Sequence, residues 1–86
     1  MHKVVLYSKE GCHLCGRALK QLQDLQRNGD FALKVVEITT DDKLFEQYCL
    51  SIPVVVLDGD IIFQAADINS PRDIEQKLES ILGPLV

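Results

Sequence analysis

Ser8-Lys9-Glu10-Gly11-Cys12-His13-Leu14-Cys15-Gly16-Arg17 places two cysteines three residues apart, at a point where the period of the sequence changes. Before it, Lys3-Val4-Val5-Leu6-Tyr7-Ser8 is short, β-branched and aromatic, which predicts a buried strand. After it, Leu14, Ala18, Leu22 and Leu25 fall at helical intervals with Leu19 widening the stripe, and Asn28-Gly29 supplies a stop, which predicts a helix from His13 to Asn28. The cysteines therefore stand where a strand hands over to a helix.

C-x-x-C spacing by itself serves zinc sites, haem attachment and thiol-disulfide chemistry alike. Haem attachment would need a histidine at position 16, which is Gly16. A zinc site would have to draw on Cys49 and on His2 or His13, but no second close pair of ligands exists and His13 lies between the two cysteines. Three cysteines is an odd number, so a disulfide framework is excluded; if Cys12 pairs with Cys15, Cys49 is left over and reads as a small buried hydrophobe.

Bulk properties narrow the class. A chain of 86 residues with 47% hydrophobic and 26% charged residues has the composition of an ordinary globular protein, and its length suits one domain, here taken as 1–86. Nine basic residues against 13 acidic ones give a net charge of -4 and no basic stripe, so no nucleic-acid partner is expected. Met1 to Tyr7 is too short for a secretory apolar region, and nothing approaches the roughly 18 apolar residues of a membrane span, so a cytoplasmic location without membrane attachment is expected.

Further along, Phe31 to Thr39 predicts a second strand. With a helix between it and the first, a parallel right-handed crossover is the economical connection. Thr40, Asp41 and Asp42 offer cap oxygens for a short helix, Lys43 to Cys49, on which Phe45 and Tyr48 read as packing residues. Pro53-Val54-Val55-Val56-Leu57 and Ile61-Ile62-Phe63, joined around Asp58-Gly59, predict a hairpin. Ser70 and Pro71 suit the start of a last helix whose apolar stripe is Ile74, Leu78, Ile81 and Leu82, ended by Gly83-Pro84. The order β-α-β-α-β-β-α predicts an α/β three-layer sandwich around a central four-stranded mixed sheet.

This order, the C-x-x-C after the first strand and the Ile52-Pro53 that opens the third together resemble the thioredoxin fold, and within it the glutaredoxins. Tyr7-Ser8-Lys9-x-x-Cys12-x-x-Cys15 and Tyr48-x-x-x-Ile52-Pro53-Val54-Val55-Val56 carry the resemblance, which spans Lys3 to about Leu82. Two departures are plain: His13-Leu14 stands where typical glutaredoxins have Pro-Tyr, and Gln64-Ala65-Ala66-Asp67 stands where they have a Gly-Gly pair that helps hold glutathione. The position of the buried thioredoxin aspartate, six residues before the first cysteine, is Leu6.

What the resemblance implies is a thiol-disulfide oxidoreductase that cycles between a Cys12/Cys15 dithiol and disulfide. Disulfide exchange starts with thiolate attack, and Cys12, at the helix entrance, faces the free N–H groups and positive dipole end that favour a thiolate. Cys15, one turn on, is then the resolving thiol. Lys9 matches a glutaredoxin lysine that contacts a glutathione carboxylate, His13 is adjacent to the thiolate, and the resemblance implies a cis Ile52-Pro53 bond whose backbone lies beside an extended substrate. The expected partners are a disulfide-containing protein or a low-molecular-weight thiol, with glutathione or a thioredoxin-reductase-type donor supplying electrons. The resemblance implies a monomer with no bound cofactor or metal and with glutathione, if anything, as co-substrate. The competing expectation is a carrier that holds a metal or iron-sulfur cluster through Cys12, or a redox-inert adaptor that kept the fold.

Overall fold

A computed structural model describes residues 2–27, 31–67 and 73–83. Strand β1 (His2–Ser8) leads into helix α1 (His13–Gln26), and the chain returns along β2 (Phe31–Glu37). A 3₁₀ turn, Ile38–Thr40, opens helix α2 (Asp42–Tyr48). Strands β3 (Val54–Leu57) and β4 (Asp60–Phe63) form a hairpin, and after a second 3₁₀ turn, Ala65–Asp67, helix α3 (Asp73–Leu82) closes the fold.

The sheet order is β2-β1-β3-β4. β1 and β2 run parallel from His2 opposite Phe31 to Ser8 opposite Glu37, and β3 is antiparallel to both β1 and β4. Side chains alternate across the sheet, so Val4 and Leu6 of β1 share one face. There they join Ala18, Leu22 and Leu25 of α1, Val55 and Leu57 of β3, and Ile74 and Leu78 of α3 in a single core. Tyr7 points the other way, and its ring stacks on Tyr48 of α2 with centroids 4.6 Å apart. Helices α1 and α3 thus cover one face and α2 the other, which makes a mixed-sheet α/β sandwich of three layers.

Local chemistry sets the element ends. β2 stops at Glu37 rather than running to Thr39, because Thr40 Oγ1 donates to the Glu37 carbonyl (2.8 Å) and the Glu37 carboxylate accepts from Thr39 N (3.3 Å); these local bonds turn the backbone out of the ladder. α2 starts one residue early because Asp41 is its cap, accepting from Lys43 N at 2.8 Å and Leu44 N at 3.4 Å. The hairpin turns at Asp58 and Gly59, both at positive φ (50° and 94°), as a two-residue turn that matches strand twist requires. Asp58 is also tied to the start of β1, accepting from Lys3 N (2.8 Å) and pairing with His2 Nδ1 (2.6 Å), which holds its carboxyl below the usual range.

Three side chains depart from the sequence expectation. The buried stripe of α1 is Cys15, Ala18, Leu22 and Leu25, spaced three and four residues, so Leu14 sits one step off it and is 40% exposed. Ile81 lies off the stripe of Ile74 and Leu78 in the same way and is 48% exposed. Cys49 is half-buried rather than a core residue, because α2 buries none of its own side chains. The Asn28-Gly29 stop and the Ser70-Pro71 cap lie outside the described residues, as does Pro84.

Candidate functional site

The thiols meet at the C-terminal end of β1. The tight turn that carries the chain from the strand into α1 uses Gly11 at φ 84°, a conformation that glycine adopts without strain. The turn is closed by Cys12 N donating to the Lys9 carbonyl at 3.1 Å. Cys12 is the N-cap of α1, with extended backbone (φ -83°, ψ 109°), and its sulfur accepts the Cys15 amide at 3.3 Å. A thiol therefore occupies the position usually filled by a Ser or Asp oxygen, facing the positive end of a 14-residue helix.

The two cysteines differ in setting. Cys12 is half-buried and Cys15 is 3% exposed, and both are free thiols. Burial pushes the Cys15 thiol up to about 12. Its hydrogen bond with the Cys12 side chain adds to the rise, the Lys9 amide opposes it, and the negative charges of Cys12 and Glu37 push the same way as burial. Such a pair can divide the labour of disulfide exchange, with one sulfur reachable from solvent and the other kept protonated beneath it.

The Ile52-Pro53 peptide is cis, Pro53 is buried and Ile52 half-buried. Pro53 lines a narrow cleft together with Leu14, Arg17 and Gln21 of α1 and Ile74 of α3, so the proline segment and the first turns of α1 border one opening. A wider groove between β4 and α3, lined by Ile62, Lys77 and Ser80 among others, holds none of the cysteines.

The other sequence candidates fall as follows. Lys9 is exposed and its ammonium lies 5.7 Å from the centre of the Phe45 ring, so it is held on α2 beside the thiol turn. His13 is exposed at the first position of α1. His2, at the opposite end of β1 from the thiols, is bonded to Asp58 and is not brought near them. Cys49 caps the far end of α2, its amide on the Phe45 carbonyl. Among the described residues no group of three His, Cys, Asp or Glu side chains converges as a metal site.

One residue was passed over in the sequence. Glu37, at the end of β2, accepts the Glu10 amide on Oε1 at 2.6 Å, and on Oε2 both the Thr39 amide (3.3 Å) and the Thr39 hydroxyl (3.1 Å). The signal that would have marked it is Glu37-x-Thr39-Thr40 at a strand end, a pattern that favours a local turn over a continued ladder.

Comparison with known proteins agrees with this geometry. A family model described as Glutaredoxin-like domain (DUF836) matches residues 3–82. No curated protein matches. Among solved structures, the target protein XcR50 from X. campestris is 27% identical with a TM-score of 0.69, over 90% of this chain and 96% of that one. Protein Ne2328 from Nitrosomonas europaea is 27% identical with a TM-score of 0.68, over 87% and 88%. Thioredoxin 1 from Thermosipho africanus, at 19% identity and a TM-score of 0.69 over 93% of each chain, shares the fold. With a family model spanning nearly all of its length, the chain belongs to the glutaredoxin-like domain family, and it shares the fold of thioredoxin.

Proposed function

We propose that the protein is a dithiol disulfide reductase in which Cys12 attacks substrate and Cys15 resolves the product. The observation that carries this reading is the Cys12 sulfur at the N-cap of α1, accepting the Cys15 amide, with a second, buried thiol one turn away. An N–H donor and the helix end stabilise negative charge on an accessible sulfur, which is what the attacking group of an exchange reaction requires. The reduced protein gives up two electrons: Cys12 displaces one substrate sulfur, the Cys15 sulfur then attacks Cys12, and the second substrate sulfur departs as a thiol while the Cys12–Cys15 bond forms. The cis Ile52-Pro53 segment, across the cleft from Leu14, supplies the surface along which an extended substrate lies. Glutathione serves as co-substrate only if it binds without the Gly-Gly pair, since Ala65 and Ala66 stand in that segment.

The test combines Cys12→Ser and Cys15→Ser with a redox titration of the wild type against glutathione buffers, quenched for mass analysis. Cys12→Ser is expected to abolish reduction of a disulfide substrate, and Cys15→Ser to accumulate a mixed disulfide on Cys12. Equal loss in both variants with no trapped adduct would refute the division of roles. A glutathionylated Cys12 during the wild-type titration identifies glutathione as donor; a reversible couple without that adduct points to a protein reductase.

A further inference from the structure

The turn carrying Cys12 is fastened to the β2–α2 side of the molecule at three nearby residues. Tyr7 stacks on Tyr48, Lys9 lies over Phe45, and the Glu10 amide is held by Glu37. Of these the Glu37 contact is the most constrained, because one carboxylate also holds the amide and hydroxyl of Thr39 and so locks the thiol turn to the 3₁₀ turn that opens α2. The parallel register, with Ser8 opposite Glu37, is what delivers this carboxylate to the thiol end of the sheet.

The same loop connects Glu37 to the resolving thiol. The Lys9 amide faces the Cys15 sulfur, and the next amide in the chain, that of Glu10, is the one Glu37 accepts. The groups bearing charge onto Cys15 are Cys12 from the cap of α1 and Glu37 from β2. α2 brings Tyr48, stacked on Tyr7, and the segment Ser51-Ile52-Pro53-Val54 brings no ionisable side chain. Leu6, inside the sheet, brings none either.

We propose that Glu37 is the positioning residue of the thiol pair: its carboxylate fixes the turn that presents Cys12 and places a negative charge at the thiol end of the sheet, which helps set the order in which the two thiols are used. The proposal rests on the dithiol reading above. In the reduced protein burial, with Cys12 and Glu37 beside it, opposes ionisation of Cys15, so the more accessible Cys12 meets the substrate first. Once the Cys12 sulfur is bonded to substrate its charge is gone, and burial and Glu37 are what still restrain Cys15. Cys15 then loses its proton to solvent and attacks the Cys12 sulfur; the bond between Cys12 and substrate breaks, and the substrate sulfur leaves with the electron pair and takes up a proton. The protein is oxidised by two electrons and the substrate disulfide is reduced by two.

The experiment loads Cys12 with thionitrobenzoate as a mixed disulfide and follows its release by absorbance as Cys15 closes, across a pH series, in wild type, Glu37→Gln and Glu37→Ala. Amide exchange at Glu10 is measured in parallel. Glu37→Gln keeps an oxygen for the Glu10 amide but removes the charge. It is expected to move the release profile to lower pH, with release roughly threefold faster at neutral pH, the size expected for one partly screened charge, while Glu10 stays protected. Glu37→Ala is expected to lose Glu10 protection as well. A Glu37→Gln profile superimposed on that of wild type, or a Glu10 amide still protected in Glu37→Ala, would overturn the role of Glu37. A wild-type adduct that never releases would instead refute the dithiol reading, and the proposal with it.

Discussion

Cys15 shows how one buried residue ties chemistry to stability. Its thiol is pushed up to about 12 in the folded protein, first by burial, whereas in the unfolded chain it returns to an ordinary cysteine value. Between those two values the folded state holds a proton that the unfolded state has lost, so the contribution is fully present below the unfolded value and declines as pH rises toward 12. The urea midpoint of the reduced protein is therefore expected to fall between pH 8 and pH 10, and Cys15→Ser is expected to flatten that slope. A wild-type midpoint constant over this range would show that burial does not hold the Cys15 proton. Asp58 works in the opposite direction, since its lowered carboxyl contributes stability above the usual carboxylate range that is lost on acidification.

Among the elements, α2 is the least secured. It has seven residues, buries none of its side chains, and is too short to persist on local propensity. What holds it is the Asp41 cap at one end and the Tyr48 ring on Tyr7 at the other, with Lys9 over Phe45 between them. Asp41→Ala is expected to cost about 1 kcal/mol, read as faster hydrogen exchange at the Phe45 and Cys49 amides, whose bonds to Asp41 and Phe45 close the helix. Amides in α1 are expected to keep their protection, because that helix is anchored by four buried residues. If α1 and α2 lost protection together, α2 would not open as a separate unit.

At the scale of the whole molecule, the core joins both helices of one face to all four strands, and its deletion is costly in proportion. Leu22 is fully buried in that cluster, so Leu22→Ala is expected to lose about 2–5 kcal/mol. Leu50, 95% exposed, is expected to change stability by less than about 0.5 kcal/mol on truncation to Ala. Chemical denaturation of the two variants checks both figures, and a large loss for Leu50 would mean that its surface is covered in solution. Much of this architecture was legible from residues: the period change at Cys12, the Asp58-Gly59 turn and the α1 spacing each follow from backbone geometry or side-chain pattern. Leu14 and Ile81 were misplaced because a stripe with one extra apolar residue on its border does not say which edge faces the core. The local pattern Glu37-x-Thr39-Thr40 marks only a turn; the meeting of Glu37 with Glu10 depends on the register that sets Ser8 opposite Glu37, which no local pattern encodes.

The shallow attachment of α2 has a consequence for how such a protein diversifies. The face that carries α1 and α3 holds the energy of the fold, while the helix bordering the thiols on the other face has little invested in the core. Apart from Phe45, side chains along Lys43–Gln47 can therefore be exchanged at small thermodynamic cost, so that new partner preferences can be selected or engineered there while the two thiols and their scaffold stay as they are.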